Sequence, residues 1–169
     1  LGRHRSDRHI AIAEAFFDYH IRNVSDRYDF DSVRIGIQPF SSDFRGFLFQ
    51  DSQLGVRFFG DRDNNIFQYN LAWFRRLEKD SNSGLNHIQR KIRDDDIFIA
   101  NLYWQDFPVL GFQSQVTGVY NRNNEAGDFF FNDNEFIERP ASFGSERGRN
   151  YDVVYLGYNG DGHFDRLNL

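Results

Sequence analysis

The sequence predicts an all-β fold: an antiparallel transmembrane β-barrel arranged as a meander, and a fragment of a larger barrel. Three observations predict this class. The chain of 169 residues is 18% aromatic and contains 20 Phe. Its mean hydropathy is nevertheless −0.66. Many short segments alternate apolar with polar residues, which gives a strand one apolar and one polar face.

The strands follow one another along the chain. Alternation predicts strands over 9–21, 33–38, 55–60, 67–73 and 110–120. A strongly apolar run bounded by Asp predicts a strand over 97–104, and two further strands, 151–158 and 163–169, flank a turn signal. A helix is the rival for the first segment, because Ala and Glu favour helices, but the even spacing of Glu14, Asp18 and His20 favours a strand. Pro39 lacks the N–H of a ladder, so we expect it to end the second strand. The sequence NGDG at 159–162 predicts a hairpin turn.

Polar or turn-forming segments separate these strands. Turns are predicted over 24–32 and 61–65, and a Phe-rich loop over 40–51. Long polar loops are expected at 78–96, with a short helix near 87–92, and at 121–150. We interpret 1–169 as a single β-barrel domain or part of one. The polar start without Met and the end within a strand pattern favour a fragment.

Composition narrows the classes of function. The net charge of −5 argues against a nucleic-acid interface, which needs clustered basic residues. The absence of Cys excludes disulfides and thiol chemistry. No run approaches the roughly 18 apolar residues of a membrane helix. The five His are scattered outside any catalytic motif, so we predict no enzymatic activity and no cofactor or metal.

One region resembles a known family. Residues 33–74 contain VRIGIQPFS, the Phe-rich FRGFLFQ, then Gly55-Val56-Arg57 and FQYNLAWF. This order resembles the phosphate-selective porin family of bacterial outer membranes. The resemblance implies a Gram-negative outer membrane and passive diffusion through a trimeric, sixteen-stranded barrel with inward-folded loops. The chain is shorter than that barrel and has only Lys79 and Lys91 as lysines, so phosphate selectivity is not carried over.

The polar strand faces are predicted to line a lumen. Arg34, Arg57 and Arg76 fall on three successive polar faces and could form a cationic stripe that attracts anions. Alternatively, each pairs with a carboxylate, such as that of Glu14 or Asp18, and braces the wall. The predicted pore-lining residues are Glu14, Asp18, His20, Arg34, Gln38, Arg57, Gln68, Asn70, Arg76 and Asn101.

Several aromatic residues are predicted to lie in girdles at the membrane interfaces. They are Tyr19, Tyr69, Trp73, Trp104, Tyr120, Tyr151 and Tyr155. Alternatively, these rings form the core of a soluble β-sandwich. Arg75, near a strand end, is interpreted as an interfacial residue whose stem lies along apolar surface.

The predicted function is an outer-membrane porin-like channel for passive transport of small hydrophilic solutes, anionic ones included. Its expected partners are outer-membrane lipid, these solutes and further copies of the chain in a homo-oligomer. The alternative is a secreted, soluble β-sandwich that binds carbohydrate, with calcium at Asn159, Asp161 and Asp165. A third option is a barrel that encloses a partner protein such as an electron carrier.

Overall fold

The structure, a computed structural model, describes residues 10–43, 45–80, 83–89, 92–129, 131, 135, 137, 143–144, 147–164 and 167–168. These residues form strands and connections. The strands are β1 (Ala15–Asn23), β2 (Phe30–Ser41), β3 (Gln50–Arg62), β4 (Phe67–Arg75), β5 (Asp95–Gln105), β6 (Phe112–Asn123), β7 (Tyr151–Phe164) and the two-residue β8 (Leu167–Asn168).

The seven long strands form one antiparallel meander in which every strand pairs with its neighbour in sequence. The short β8 pairs only with the end of β7. The predicted all-β antiparallel meander is therefore confirmed. The sheet is open, since β1 and β8 lie at opposite edges and are not paired with each other. The part of the chain that the structure describes contains no helix long and apolar enough to cross a membrane.

Connections at the two ends of the sheet differ in length. At one end, turns over 24–29, 63–66 and 106–111 join successive strands. At the other end, the connections span 42–49, 76–94 and 124–150. Alternate connections of an antiparallel meander lie at opposite ends, so the sheet has a short-turn end and a long-loop end.

One face of the sheet, which we call the covered face, lies under the connection 42–49. Side chains that face each other across strands share a face, and the pairs Arg34–Arg57, Asn70–Asn101 and Asn101–Thr117 belong to this one. Phe40 and Phe49 are buried there against Phe74, with ring centroids 5.5 and 5.4 Å from that of Phe74. The remaining members of this small apolar core are Ala72, Ile97, Ile99 and Val119.

A glycine makes room for this core. Gly55 lies opposite Phe74 on the neighbouring strand, and a Cβ on Gly55 would lie 2.5 Å from Cδ1 of Phe74 and 2.2 Å from the carbonyl oxygen of Trp73. Real side chains do not approach so closely. The missing side chain therefore lets the Phe74 ring lie close to the sheet.

The opposite face, which we call the open face, is apolar and uncovered in the described residues. One cross-strand row of it contains Tyr19, Val33, Phe58, Leu71, Ala100, Gly118 and Leu156. Exposed fractions reach 54% at Leu71 and 84% at Leu156. Across β1–β7, the charged residues described on this face lie only near the strand ends: Arg22, Asp31 and Arg62 near one end, and Arg75, Asp96, Arg122 and Asp152 near the other.

At two positions the sequence predicts a break in the strand where the structure has a continuous one. Pro39 does not end β2, which continues to Ser41. Proline is tolerated because β1 begins opposite Ile37, so that in the described residues β2 has no strand partner on that side at Pro39. The segment 159–162 is not a hairpin turn but continuous strand, with Asn159 opposite Gln115. A Cβ on Gly160 would lie 2.4 Å from Cζ of Phe112, so this glycine serves close packing.

Of three other local predictions, two strands were correct and one helix was wrong. The first segment is a strand, as predicted, although β1 spans Ala15–Asn23 and Glu14 precedes it. The short helix near 87–92 was wrong as far as the structure describes that segment: residues 87–89 and 92 are not helical. His87 instead forms an isolated bridge with Ala11. The strand predicted at 67–73 was correct, and β4 extends it to Arg75.

Candidate functional site

The loop 42–49 is held on the covered face through one carbonyl group. The oxygen of Ser42 accepts hydrogen bonds from Nδ2 of Asn101 at 3.0 Å, Nε2 of Gln115 at 2.7 Å and Oγ1 of Thr117 at 3.0 Å. All four residues are buried. Buried polar groups of this kind are costly to leave unpaired, so β5 and β6 fix the loop at a defined position.

Asp43 organises the loop internally. Its carboxylate accepts hydrogen bonds from the backbone N–H groups of Arg45 and Phe47 at 3.0 Å and of Leu48 at 2.9 Å. Burial alone would raise the pKa of Asp43. The amide hydrogen bonds outweigh burial and hold the pKa below its ordinary value. The loop therefore stabilises the ionised form of Asp43.

Beside the loop, the covered face carries a polar cluster formed by Asp18, Arg34, Arg57, Asn70 and Asn101. Asp18, Arg34 and Arg57 lie in one cross-strand row. The Arg34 guanidinium donates two hydrogen bonds to the Asp18 carboxylate, from Nε at 2.6 Å and from a terminal nitrogen at 2.7 Å. Arg34 is thus neutralised by a bidentate partner.

Arg57 is linked to the loop by a chain of oriented hydrogen bonds. Its Nε donates to Oδ1 of Asn70 at 2.6 Å, and Nδ2 of Asn70 donates to Oδ1 of Asn101 at 2.8 Å. Asn101 in turn donates to the Ser42 carbonyl. All three donors point the same way, from the cation toward the loop, and hydrogen bonds aligned in this way strengthen one another.

The Arg57 guanidinium also contacts aromatic rings, and Arg57 lines a cavity together with Phe59 and Gln68. The guanidinium carbon lies 4.5 Å from the Phe59 ring centroid and 5.1 Å from that of Phe40, a cation–π geometry. Within the described ranges, no carboxylate lies within 4.0 Å of Arg57, and its two terminal nitrogens have no hydrogen-bond partner. The charged members of the polar cluster are Asp18, Arg34 and Arg57, so the cluster has one net positive charge.

Arg76 lies elsewhere, at the long-loop end. It follows β4 and pairs with the buried Asp95 at 3.2 Å. Asp95 also contacts Arg93 at 3.4 Å, and Arg93 binds Glu125 through two hydrogen bonds of 2.9 and 2.7 Å. Burial would lower the pKa of Arg93, but the contacts with Glu125, Asp95 and Glu78 outweigh it and raise the pKa. This network ties the two longest loops together.

The predicted pore-lining residues mostly share the covered face. Asp18, His20, Arg34, Gln38, Arg57, Gln68, Asn70 and Asn101 lie there. Glu14 is exposed before β1, and Arg76 lies beyond β4. The three arginines of the predicted stripe do not lie together. Arg34 and Arg57 are neighbours, whereas Arg76 belongs to the ion-pair network of Asp95, Arg93 and Glu125 at the long-loop end, which we call the long-loop network.

The predicted interface aromatics divide between the two faces. Tyr19, Tyr69, Trp73, Trp104 and Tyr120 lie on the open face. Tyr151 and Tyr155 lie on the covered face, because they pair with Asn123 and Val119. Arg75 is on the open face near a strand end, as predicted, but its guanidinium binds Asp94 and Asp96 at 2.7 and 3.0 Å.

The candidate calcium residues do not form a loop. Asn159 and Asp161 pair with β6 inside β7, and Asp165 lies outside the described residues. Over the described ranges, no group of three or more His, Asp or Glu side chains is placed to hold a metal ion.

The prediction missed the residues that hold the loop: Ser42, Asp43, Phe49, Gln115 and Thr117. The alternation of Gln115 and Thr117 along β6 put them on the polar face, and the Phe-rich segment marked the loop. No local signal shows that the loop meets β6.

The fold and the site define a class: a two-faced antiparallel meander with a loop folded over its polar face. Comparison with protein-family models, with curated proteins and with solved structures finds no match in any of the three.

Proposed function

We propose that this chain forms wall strands of an outer-membrane porin, a β-barrel through which small hydrophilic solutes, anionic ones included, diffuse passively. The observation that carries the proposal is the open face. Its central rows have no charged side chain among the described residues, and large apolar side chains are exposed there, including Phe17 at 66% and Val154 at 67%. Lipid is the solvent that such a surface fits.

The lengths of the strands support the proposal. β4, β5 and β6 contain 9, 11 and 12 residues, and a tilted strand of an outer-membrane barrel crosses the bilayer with about 9–11 residues. On β4 the apolar side chains of the open face run from Phe67 to Trp73, and charged residues begin at Arg75 and its neighbours Asp96 and Arg122. The apolar band of outer-membrane barrels is likewise bounded by polar and aromatic residues.

The other features agree with the same assignment. Short turns at one end and long loops at the other are typical of these barrels. The covered face is rich in amide and charged side chains, as a water-filled lumen requires, and the loop 42–49 on this face would narrow it. The similarity of 33–74 to phosphate-selective porins, which are trimers with inward-folded loops, points in the same direction.

The alternative of a secreted carbohydrate-binding sandwich has less support. A soluble sandwich needs a second sheet packed on its apolar face. The described residues contain a single continuous sheet, and its only buried apolar cluster lies under the loop on the covered face.

The test begins with extraction. The chain is exported with a signal peptide in a Gram-negative host, and its release from the outer-membrane fraction is measured with and without detergent. We expect release only with detergent, altered gel migration on heating, and ion conductance after reconstitution in planar bilayers. A monomer that is soluble without detergent would contradict the proposal.

A further inference from the structure

We infer that Arg57 binds the carboxylate of small monocarboxylate solutes on the covered face. The inference rests on the proposed function for the route by which the solute arrives, because the covered face would line the lumen. The binding itself depends only on the geometry of the polar cluster and on the rings beside it.

The orientation of the guanidinium is the first argument. Asn70 holds Nε at 2.6 Å, which prevents the group from turning about its axis. The two terminal nitrogens, without partners among the residues described, then form a planar fork of parallel N–H donors. This fork matches the two oxygens of a carboxylate, and because it is held in place, little conformational entropy is lost on binding.

The charge balance is the second argument. Asp18 neutralises Arg34 through two hydrogen bonds, so Arg57 contributes one net positive charge to the polar cluster. One charge matches a monoanion. A doubly charged phosphate would keep one negative charge near the Asp18 carboxylate, which lies in the same cross-strand row.

The surroundings are the third argument. The rings of Phe40 and Phe59 flank the guanidinium, with centroids at 5.1 and 4.5 Å. Arg57 lines a cavity together with Phe30 and Phe59, so the carbon chain of a carboxylate bound in this cavity would meet aromatic rings. Inorganic phosphate has no apolar part to place there, whereas propionate has.

The test uses propionate, its neutral isostere propionamide, and inorganic phosphate. Binding to the full chain in detergent micelles is measured by NMR line broadening of each probe. We expect propionate to bind, propionamide to bind more weakly, and Arg57→Gln to weaken propionate binding at least about tenfold. Arg122→Gln removes the same charge from the open face and should leave binding unchanged. Arg57→Lys keeps the charge but loses the fork, so it should bind propionate with intermediate affinity.

The outcomes separate this inference from the proposed function. Equal binding by the wild type and Arg57→Gln, equal binding of propionamide and propionate, or tighter binding of phosphate would each overturn the inference. If the chain conducts ions in bilayers but its propionate binding does not depend on Arg57, the proposed porin function stands and the proposed binding site is wrong. If propionate binding depends on Arg57 but the chain does not conduct, the binding site stands and the porin function is wrong.

Discussion

The ring of Phe49, in the loop 42–49, stacks on the ring of Phe74 in β4, with 5.4 Å between centroids and 20° between planes. Both side chains are buried, and Phe74 is fully so. Stacked aromatic pairs contribute beyond the area that they bury. This contact makes the loop part of the core.

Replacing Phe49 by Ala should therefore release the loop. We expect the free energy of unfolding to fall by about 3 kcal/mol and the bond after Arg45 to become accessible to trypsin. The control is Phe47→Ala in the same loop, since Phe47 is 89% exposed. Equal trypsin sensitivity in the two variants would show that the stacking does not hold the loop.

The contact between Gly55 and Phe74 predicts a second effect. Gly55→Ala places a Cβ against the Phe74 ring and the Trp73 carbonyl, so we expect a loss of about 1–3 kcal/mol in the free energy of unfolding. Gly118→Ala is the matched control, because its Cβ would lie 3.7 Å from the nearest heavy atom, in Leu156. A denaturant titration of both variants measures the difference, and equal stabilities would contradict the role of Gly55.

The two faces of β7 provide a test of lipid contact. Leu156 on the open face and Tyr155 on the covered face are neighbours, and both are exposed. If the open face contacts lipid, Leu156→Arg should cost about 2–4 kcal/mol in folding into lipid vesicles, whereas Tyr155→Arg should cost much less. The measurement is the urea dependence of vesicle insertion, and similar costs for both variants would argue against a lipid-facing open face.

The loop should also respond to pH through Asp43. Its pKa in the folded protein lies below the ordinary value of 3.8, so the ionised carboxylate stabilises the fold above about pH 4. This contribution is lost as the pH falls below 3.8 and through the lower folded pKa. We expect the amides of Arg45, Phe47 and Leu48 to lose hydrogen-exchange protection in that range.

The control for this prediction is Asp43→Asn, which retains the shape of the side chain but cannot ionise. Its exchange protection, corrected for intrinsic rates, should be low and independent of pH over the same range. Wild-type protection that stays constant from about pH 5 to about pH 2 would contradict the role of the carboxylate.

Prediction succeeded where a pattern is local and failed where it is not. The alternation in 67–73 located β4 because successive side chains of a strand point to opposite faces of the sheet, so apolar and polar residues alternate. Pro39 and the NGDG segment were misread, since the same residues suit a turn or a strand depending on what lies beside them. At Pro39 the deciding neighbour is the start of β1, and at Gly160 it is the ring of Phe112.

The sequence by itself determined the all-β class, most strand positions and the membership of the polar face, because these follow from a period of two residues. Tertiary structure decided which charges meet. Arg34, Arg57 and Arg76 have equivalent positions in the sequence pattern. In the structure, the strand register pairs Arg34 with Asp18, and Arg76 binds Asp95 in the long-loop network. Arg57 has no carboxylate within 4.0 Å in the described ranges. Pairing depends on register and loop packing, which join residues far apart in the chain.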